Sequence, residues 1–509
     1  MSNSNTMELE LRPFQAAAIQ QLREGLRTDY LRQMLYSPTG SGKTIMATGL
    51  VKGARLKGKR VAFLVNRVQL VEQTSATFRR YGIDHGVIQG ENTRREYENV
   101  LVCSIQTVAR RGLPNVDFIV IDEAHAVAGS KDYRGIIETF SGKPVIGLSA
   151  SPFSKGLGRH YDNLGGPLFE RMVIASSIRE LIDDGYLVDC DIYAPSEPDM
   201  SGIKQVRNKF GEMDYSDMDV GQAADKPELI GDIVSHWFKL ARGTPTVVFA
   251  SNIAHSKHIV EQFKAAGVAA EHIDCYDDSD ERREALKRFE RRETTIISNS
   301  ALLAEGWDAP FCETLILARP TKSLIRYLQM VGRVLRPSEG KDKALVLDHS
   351  GTVKTLGFPT DDLPLELDDG KPKQTKSKTE EREEPLPKAC PSCSYMKPAK
   401  VHQCPACGFM PEKKSDVEVK DGELVLMRKD AKKATKMEKQ DAYSQLLAYA
   451  AIKGYRDGWA DHAYRDYFGV WPKGLRKSTQ EPSEEMSNWI KSRNIRNAKR
   501  REKELKNAA

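Results

Sequence analysis

The chain has 509 residues, of which 40% are hydrophobic and 29% charged, and its formal net charge is +6. This length allows about two to four domains, each with its own core. No run of about 18 uncharged apolar residues is present and the N-terminus is polar, so we expect neither a membrane span nor a secretory signal. The composition therefore predicts a cytoplasmic protein with no membrane partner.

A phosphate-binding loop is the first strong motif. Residues 37–44 read Ser-Pro-Thr-Gly-Ser-Gly-Lys-Thr, between an apolar run that ends at Tyr36 and a helix-like run from 45 to 51. Such a turn lets backbone N–H groups close around phosphate oxygens at a helix N-terminus. Ser37 stands where the motif usually has its first glycine. We expect ATP and Mg²⁺ here, held by Thr39, Gly40, Ser41, Gly42, Lys43 and Thr44, with Lys43 on the outer phosphates and Thr44 on the metal.

Short apolar runs alternate with helix-length segments through the first third of the chain. An amphipathic pattern from Phe14 to Leu26 predicts a helix before the loop. Uninterrupted apolar runs suit parallel strands buried on both faces. We therefore predict a doubly wound α/β domain over residues 1–187. Its clearest strands are Val61–Val65, Val100–Cys103, Phe118–Ile121 and Val145–Leu148.

Two carboxylates follow one of these strands directly, in the run Asp122-Glu123-Ala124-His125. The carboxyl edge of a parallel sheet is where α/β proteins bind ligands. Near a phosphate-binding loop, Asp122 would hold Mg²⁺, and Glu123 would orient and deprotonate an attacking water. An ordinary acidic turn is the alternative, and the upstream loop disfavours it.

A second alternating series predicts a second α/β domain over residues 226–356, without a phosphate-binding loop of its own. Residues 188–225 lose the periodicity and are predicted to be an irregular connector. Residues 357–388 are rich in charged residues, Pro and Thr, and are predicted to be a flexible linker. The strands of the second domain are predicted at Thr246–Ala250, Thr294–Ile297, Thr314–Leu317 and Ala344–Leu347.

The order of the motifs resembles that of the superfamily 2 helicases. The loop at 37–44, the Asp-Glu-Ala-His box, Ser149-Ala-Ser151 and Gln-Met-Val-Gly-Arg-Val-Leu-Arg at 329–336 occur in the family's order. In the amino-acid residues of its motifs, the chain is most similar to RadD-type bacterial and phage DNA helicases. It is also similar to restriction-enzyme motor subunits. The resemblance implies two RecA-like domains that share one ATPase site. It also implies ATP-driven movement on single-stranded or branched DNA, with RNA as the alternative track.

The resemblance assigns roles to individual residues. Arg12 and Gln15 would read the adenine, and Gly306 and Asp308 would contact both nucleotide and strand. Arg333 and Arg336 lie three apart on a probable helix, so both could cross the cleft as arginine fingers. The catalytic set implied is Lys43, Asp122, Glu123, His125, Gln329, Arg333 and Arg336. The implied strand contacts are Asn66, Arg67, Ser104, Gln106, Thr107, Ser251 and Asn252, whose polar groups suit backbone phosphates.

Four cysteines form two C-x-x-C pairs, Cys390 with Cys393 and Cys404 with Cys407. This spacing fits a tetrahedral Zn²⁺ site, with four free thiols as the alternative. Four thiolates leave no open coordination position, so we predict a structural zinc ribbon over residues 389–410 that unfolds without metal. The remaining cysteines are scattered singly, which argues against a disulfide framework.

Residues 418–509 are predicted to be a mainly helical, aromatic-rich region with a basic tail. Eight aromatic residues between 443 and 471 form either a small core or a stacking surface for bases, and we favour the core. Residues 490–509 carry eight Lys or Arg against two Glu, which equals the whole excess charge. This tail is either a solvated helix or a phosphate-binding arm.

Several functions stay open beside a strand-separating helicase. The chain could be a translocase or branch-remodelling motor that never separates strands, or the motor subunit of a restriction-type complex with a nuclease partner. A nucleic-acid-binding scaffold with a lapsed ATPase is the non-enzymatic alternative, and the intact Lys43, Glu123 and Arg336 disfavour it. Replication, repair or restriction proteins are the predicted partners, in the cytoplasm of a bacterium or of a phage-infected host.

Overall fold

The computed structural model describes residues 7–208, 212–304, 306–363, 365–371, 386–399, 401–410, 435–468, 470–491 and 493–494. These residues form two compact units, one up to residue 412 and one from residue 413. Within the described ranges, no helix has both the length and the apolar composition needed to cross a membrane.

The first domain of unit 1 is built on a parallel sheet with helices on both faces. Its helices are α1 Pro13–Arg27, α2 Lys43–Leu56, α3 Val68–Arg80, α4 Ile105–Arg111 and α5 Lys131–Thr139. The next helix, α6 Ile178–Asp183, packs on the core of the second domain. Its strands are β1 Arg32–Tyr36, β2 Val61–Val65, β3 Gly86–Ile88, β4 Val100–Ser104, β5 Phe118–Ile121, β6 Val145–Ser149, β7 His160–Tyr161, β8 Gly166–Pro167 and β9 Arg171–Ile174.

The main sheet has the strand order β3-β4-β2-β5-β6-β1-β9, and every pairing in it is parallel. The central strands are buried along their whole length, which explains why the predicted apolar runs have no alternation. Helices α1, α2 and α3 cover one face, and α4 and α5 cover the other. The prediction of a doubly wound domain is confirmed.

The second domain of unit 1 repeats this plan with a six-stranded parallel sheet of order β10-β17-β16-β13-β15-β14. Its strands are β10 Asp189–Tyr193, β11 Gln205–Arg207, β12 Met213–Tyr215, β13 Thr246–Ala250, β14 Ala270–His272, β15 Ile296–Asn299, β16 Thr314–Ala318 and β17 Lys343–Asp348. Its helices are α7 Asp217–Ala224, α8 Pro227–Leu240, α9 Ile253–Ala265, α10 Ser279–Glu290, α11 Leu324–Val331 and α12 Thr352–Leu356.

The segment predicted as an irregular connector, residues 188–225, has regular structure in its described parts. Strand β10 is the edge of the second sheet, and β11 and β12 form an antiparallel hairpin. Asp214 of β12 is buried and accepts hydrogen bonds from Lys322 N (2.8 Å) and Arg326 Nη1 (3.0 Å). The hairpin therefore fixes the start of α11, and the second domain includes segments that precede residue 226.

The chain returns to the first domain after α12. Asp368 accepts a hydrogen bond from Gly156 N at its side chain (2.8 Å) and from Gly158 N at its backbone (2.7 Å). Leu367 packs against the core beneath α5. Residues 365–371 therefore form a strap on the first domain, within the segment predicted to be a flexible linker. Residues 372–385 of that segment lie outside the described residues.

The cysteine-bearing segment docks on the edge of the second sheet. Its short hairpin, β18 Lys388–Ala389 and β19 Met396–Lys397, lies next to β10. The Tyr395 ring packs edge-on against Tyr193 with centroids 5.3 Å apart, and its hydroxyl donates to Asp191 at 3.2 Å. Met396 is buried in the core of the second domain.

Unit 2 is helical where it is described, with α13 Lys436–Ile452, α14 Trp459–Phe468 and a further helical stretch at 484–491. Tyr443 and Tyr464 are buried beside Leu446 in its core, as the favoured prediction requires. Tyr455 and Trp471 keep at least 40% of their surface exposed, so a stacking role stays open for them. Most of the predicted basic tail, from residue 495, lies outside the described residues.

Candidate functional site

The phosphate-binding loop lies between β1 and α2, and its shape depends on two glycines. Gly40 and Gly42 both have φ of +86°, a left-handed conformation that favours glycine. A Cβ on Gly42 would lie 2.6 Å from Gln15 Nε2. At the atypical position, the buried Ser37 hydroxyl contacts Ser41 Oγ at 2.5 Å, and Ser41 in turn donates to Pro38 O. Ser37 therefore braces the loop from inside.

Gln15 ties α1 to this loop. Its side-chain amide donates to Ser41 O at 2.8 Å, and its oxygen accepts from Arg12 N at 3.0 Å. The Arg12 guanidinium lies over the Tyr186 ring, 4.3 Å from its centroid, and its Nη1 atom is buried with no hydrogen-bond partner among the described residues. Phe14 packs on the same ring at 5.4 Å. Arg12 and Gln15 are thus together beside the loop, and the sequence interpretation missed the supporting Tyr186.

A chain of polar contacts links the loop to the acidic motif. Lys43 Nζ lies 3.2 Å from Glu123 Oε1, and His125 Nδ1 lies 3.3 Å from Glu123 Oε2. His125 is buried and also contacts Ser149 Oγ at 3.1 Å. Ser149 Oγ accepts a hydrogen bond from Ser151 N at 3.0 Å. The structure therefore connects all three motifs of the first domain through side chains.

The two adjacent carboxyl groups have opposite pKa shifts. Burial and the neighbouring Glu123 carboxylate raise the pKa of Asp122 above its usual range. Burial works against ionisation of Glu123, but Lys43 and His125 outweigh it and lower the pKa of that carboxyl. Glu123 also has a left-handed backbone, with φ of +49°. Strain of this kind at a side chain that faces a ligand-binding loop is typical of a functional position.

The second domain reaches the loop through the end of α11. A Cβ on Gly332 would lie 2.5 Å from Thr39 Cβ, and a Cβ on Gly40 would lie 3.1 Å from Arg336 Cγ. Arg336 forms an ion pair with Asp308, while its buried Nε atom has no hydrogen-bond partner within the part of the chain that the structure describes. The structure therefore brings Arg336, Asp308 and the loop of the first domain together.

The prediction that Arg333 and Arg336 share a helix is wrong, because α11 ends at Val331 and both arginines follow it. Arg333 contacts its own domain. Arg333 donates to Ala304 O (2.6 Å from Nη2) and also to Trp307 O. Its guanidinium therefore holds the loop that contains Gly306 and Asp308, and its role as an arginine finger stays a prediction. Gln329 is buried, with Nε2 unpartnered among the described residues. Gly306 O accepts a hydrogen bond from Gln73 Nε2 of α3 at 2.8 Å, a second contact across the cleft.

The predicted strand contacts of the first domain cluster at the carboxyl ends of β2 and β4. Ser104 Oγ donates to Gln106 Oε1 at 2.7 Å, and Gln106 Nε2 donates to Asn66 O at 3.0 Å. Thr107 Oγ1 accepts from Gly90 N at 2.8 Å. Arg67 immediately precedes α3, next to this group.

The predicted strand contacts of the second domain form hydrogen bonds within their own domain in this structure. Ser251 is buried and donates to Ala318 O at 3.0 Å. Asn252 Oδ1 caps α9 by accepting from His255 N at 2.8 Å. Contact of these two side chains with a strand stays a prediction.

The four cysteines of the two C-x-x-C pairs converge. The Sγ atoms of Cys390 and Cys407 lie 3.8 Å apart, and those of Cys393 and Cys404 lie 3.7 Å apart. All four sulfur atoms fall within 4.8 Å of one another. This separation matches the edges of a sulfur tetrahedron around one metal ion with bonds of about 2.3 Å.

Two family models match the chain. A model described as type III restriction enzyme, res subunit, matches residues 8–154, and one described as helicase conserved C-terminal domain matches residues 225–338. The first range contains the phosphate-binding loop and Glu123, and the second contains Arg336.

Relatives and solved structures agree with these matches. A 51.5 kDa protein of Lactococcus phage (isolate 7-9) is 28% identical over 401 residues, which are 78% of this chain and 82% of the phage protein. Putative ATP-dependent helicase IRC3 of Saccharomyces cerevisiae is 28% identical over 389 residues, 70% of this chain and 55% of the yeast protein. A fragment of a putative HsdR subunit of a type I restriction enzyme from Vibrio vulnificus has a TM-score of 0.53 at 22% identity, over 73% of this chain and 68% of that chain. This last likeness shows a shared fold.

Proposed function

We propose that this chain, which belongs to the superfamily 2 helicases, hydrolyses ATP between its two α/β domains and uses the energy to move along DNA. The observation that carries the proposal is the approach of Arg336, on the second domain, to Gly40 in the phosphate-binding loop of the first. An ATP site shared by two domains couples nucleotide binding and release to opening and closing of the cleft.

The residues present fit ATP and Mg²⁺. The loop glycines leave room that a Cβ would fill. Arg12 Nη1 and Arg336 Nε are buried donors beside that loop, and neither has a hydrogen-bond partner in the described ranges. Lys43 and Thr44 would bind the phosphates and Mg²⁺, with Asp122 as the second protein group on the metal side. Bound MgATP supplies the phosphoanhydride bond whose hydrolysis drives movement.

Glu123 is the proposed general base. Its carboxylate is ionised, so it can accept a proton from water, but the pairing with Lys43 weakens its basicity. A phosphate group that draws Lys43 away would remove the strongest charge lowering the pKa of Glu123. The base would then become stronger when nucleotide is bound. His125 would keep the carboxylate oriented through its contact with Oε2.

The hydrogen bonds beyond Glu123 suggest how the site senses the track. His125 contacts Ser149, whose hydroxyl accepts from Ser151 N, and Gln73 crosses the cleft to Gly306 O. Displacement of either contact when the cleft opens would reorient Glu123 or the Asp308 loop. DNA is the proposed track because the first domain matches a restriction-enzyme subunit model and the motif residues resemble those of DNA helicases.

Zn²⁺ is the proposed metal of the four-cysteine site. A closed set of four sulfurs suits Zn²⁺ and leaves no position for a substrate, so its role is structural. Its proposed task is to hold the hairpin on the β10 edge, where Tyr395 and Met396 contact the second domain.

Steady-state ATPase activity with no nucleic acid, single-stranded DNA, duplex DNA and RNA tests the proposal. We expect stimulation by DNA, abolished in Lys43→Ala and Glu123→Gln. Arg80→Ala is the matched control, because Arg80 is an exposed end residue of α3 far from these contacts in sequence. If no nucleic acid changes the ATPase activity, the proposal of a motor is contradicted. If RNA alone stimulates it, the track is RNA and not DNA.

A second candidate is the motor subunit of a restriction-type complex, which the match of residues 8–154 favours. Such a motor translocates on duplex DNA without separating strands and needs a nuclease partner. Displacement of a triplex-forming oligonucleotide without displacement of a duplex strand would select this candidate over a helicase.

A further inference from the structure

A cavity of about 440 Å³ lies between the first domain and the β11 hairpin of the second, outside the contacts of the ATP site. Its walls come from three places: the start of α5 and the loop that follows β6, the hairpin strand β11, and the strap of residues 365–371. The charged side chains that line it are Arg134, Lys155, Arg159 and Arg207. The lining includes no Asp or Glu among the described residues.

These four cations are available to a ligand. None of them forms an ion pair with a described carboxylate, whereas Arg32 at the start of β1 is paired with Glu170. Lys155, Arg159 and Arg207 are exposed. Four like charges around one cavity repel one another, so the arrangement costs stability and is relieved when an anion binds.

An aromatic ring completes the cavity. The Tyr161 ring contacts two guanidinium groups, and its centroid lies 5.6 Å from the guanidinium of Arg159 and 5.9 Å from that of Arg134. The ring thus orients both arginines at the wall. Guanidinium groups bind phosphate oxygens in pairs, which a carboxylate-free site with several arginines favours. The volume is large enough for a nucleotide unit.

We propose that this cavity binds a phosphate-bearing ligand, and that the ligand is a phosphodiester of the nucleic-acid strand on which the motor moves. The inference rests on the proposed function for the identity of the strand. A free polyphosphate has the same chemistry and is the other possible source. Because β11 belongs to the second domain and the loop after β6 to the first, a strand held here would contact both domains away from the predicted strand contacts.

Direct binding tests the site with two probes, a fluorescein-labelled single-stranded oligonucleotide by anisotropy and inorganic pyrophosphate by calorimetry. The test variants are Arg159→Ala and the double variant Arg134→Ala with Arg159→Ala. Arg159→Lys keeps the charge and should restore part of the binding. Arg80→Ala removes the same charge from α3, which packs on the opposite face of the sheet from α5. Basal ATPase activity and thermal unfolding report on folding.

We expect Arg159→Ala to weaken oligonucleotide binding about tenfold, as removal of a charge-assisted hydrogen bond does. The slope of log K against log salt should fall by about 0.7 for each phosphate that the variant no longer binds. Arg80→Ala should change neither quantity, and basal ATPase should stay unchanged in all variants. Loss of pyrophosphate binding alone, with the oligonucleotide unaffected, would assign the site to a free polyphosphate.

The inference would be overturned if the double variant bound both probes with the affinity and the salt dependence of the wild type. Failure of the proposed function looks different, because then the ATPase of the wild type itself would not respond to any nucleic acid. A wild type that responds to DNA while the double variant binds and responds equally would refute only the cavity.

Discussion

Acid should destabilise the second domain through His349, which follows β17. Its side chain is 4% exposed, its Nδ1 atom contacts Ser196 Oγ at 2.8 Å, and its Nε2 atom has no partner among the described residues. Burial and the neighbouring His236 lower the pKa of His349 to about 3. The folded domain therefore keeps this imidazole neutral at pH values where a free histidine would already be charged.

The sign and size of the effect follow from linkage. Because the folded pKa is lowered, the unfolded chain binds more protons between pH 6.5 and about 3, and stability is lost as the pH falls through that window. At about pH 5 the unfolded state gains about 2 kcal/mol from protonating this one histidine, and close to nothing at about pH 7.5.

Urea unfolding of wild type and His349→Gln at both pH values measures this effect, with the fluorescence of the buried Trp237 as a signal from the second domain. The wild type should lose about 2 kcal/mol more than the variant on acidification. His462→Gln in unit 2 is the matched control and should follow the wild type. An equal loss in His349→Gln and wild type would refute the reasoning, because the protonation of His349 could then not be a source of the acid lability.

Three further outcomes are expected. Glu123→Gln should lower kcat for ATP by about a hundredfold or more while ATP still binds, as fluorescent-nucleotide titration would show; retained turnover would rule Glu123 out as the base. Gly332→Val should raise KM for ATP, because the new side chain would collide with Thr39 at the closed cleft. The control is Gly231→Ala in α8, where an added Cβ has no described atom within 4 Å, and it should leave KM unchanged. Equal KM values for wild type and Gly332→Val would contradict the cleft geometry. Metal analysis should find one zinc per chain, absent from Cys390→Ser, which should also unfold at a lower temperature; a metal-free wild type would remove the zinc assignment.

The central strands were predictable because burial on both faces leaves a local mark. The runs at 61–65, 118–121 and 246–250 are strands with the predicted bounds, and the run at 294–297 is shifted by two residues. Edge strands were not predictable in the same way. Asp189–Tyr193 alternates charged and apolar residues and is only partly buried, so its sequence resembles a connector until the second sheet pairs with it.

The residues of the candidate site also differ in how far the sequence could predict them. Contiguous motifs such as 37–44 and 122–125 carry their chemistry in a few adjacent residues, because a tight turn must place phosphate-binding amides, a lysine and carboxylates at fixed spacing. Residues that reach a site from elsewhere in the chain leave no such spacing. The sequence therefore did not predict that Tyr186 contacts Arg12 or that Gln73 donates a hydrogen bond to Gly306 O.

The sequence alone determined the two α/β domains, the phosphate-binding loop, the acidic pair and the four-cysteine pairing, since each depends on residues close together in the chain. Only the tertiary structure decided which arginine of the motif faces the loop, because Arg333 and Arg336 both follow the end of α11 and the path of the chain there sets what each one contacts. It also decided that Arg134, Lys155, Arg159 and Arg207 surround one cavity. Charges so far apart in sequence become a site only when folding carries their elements to the same place.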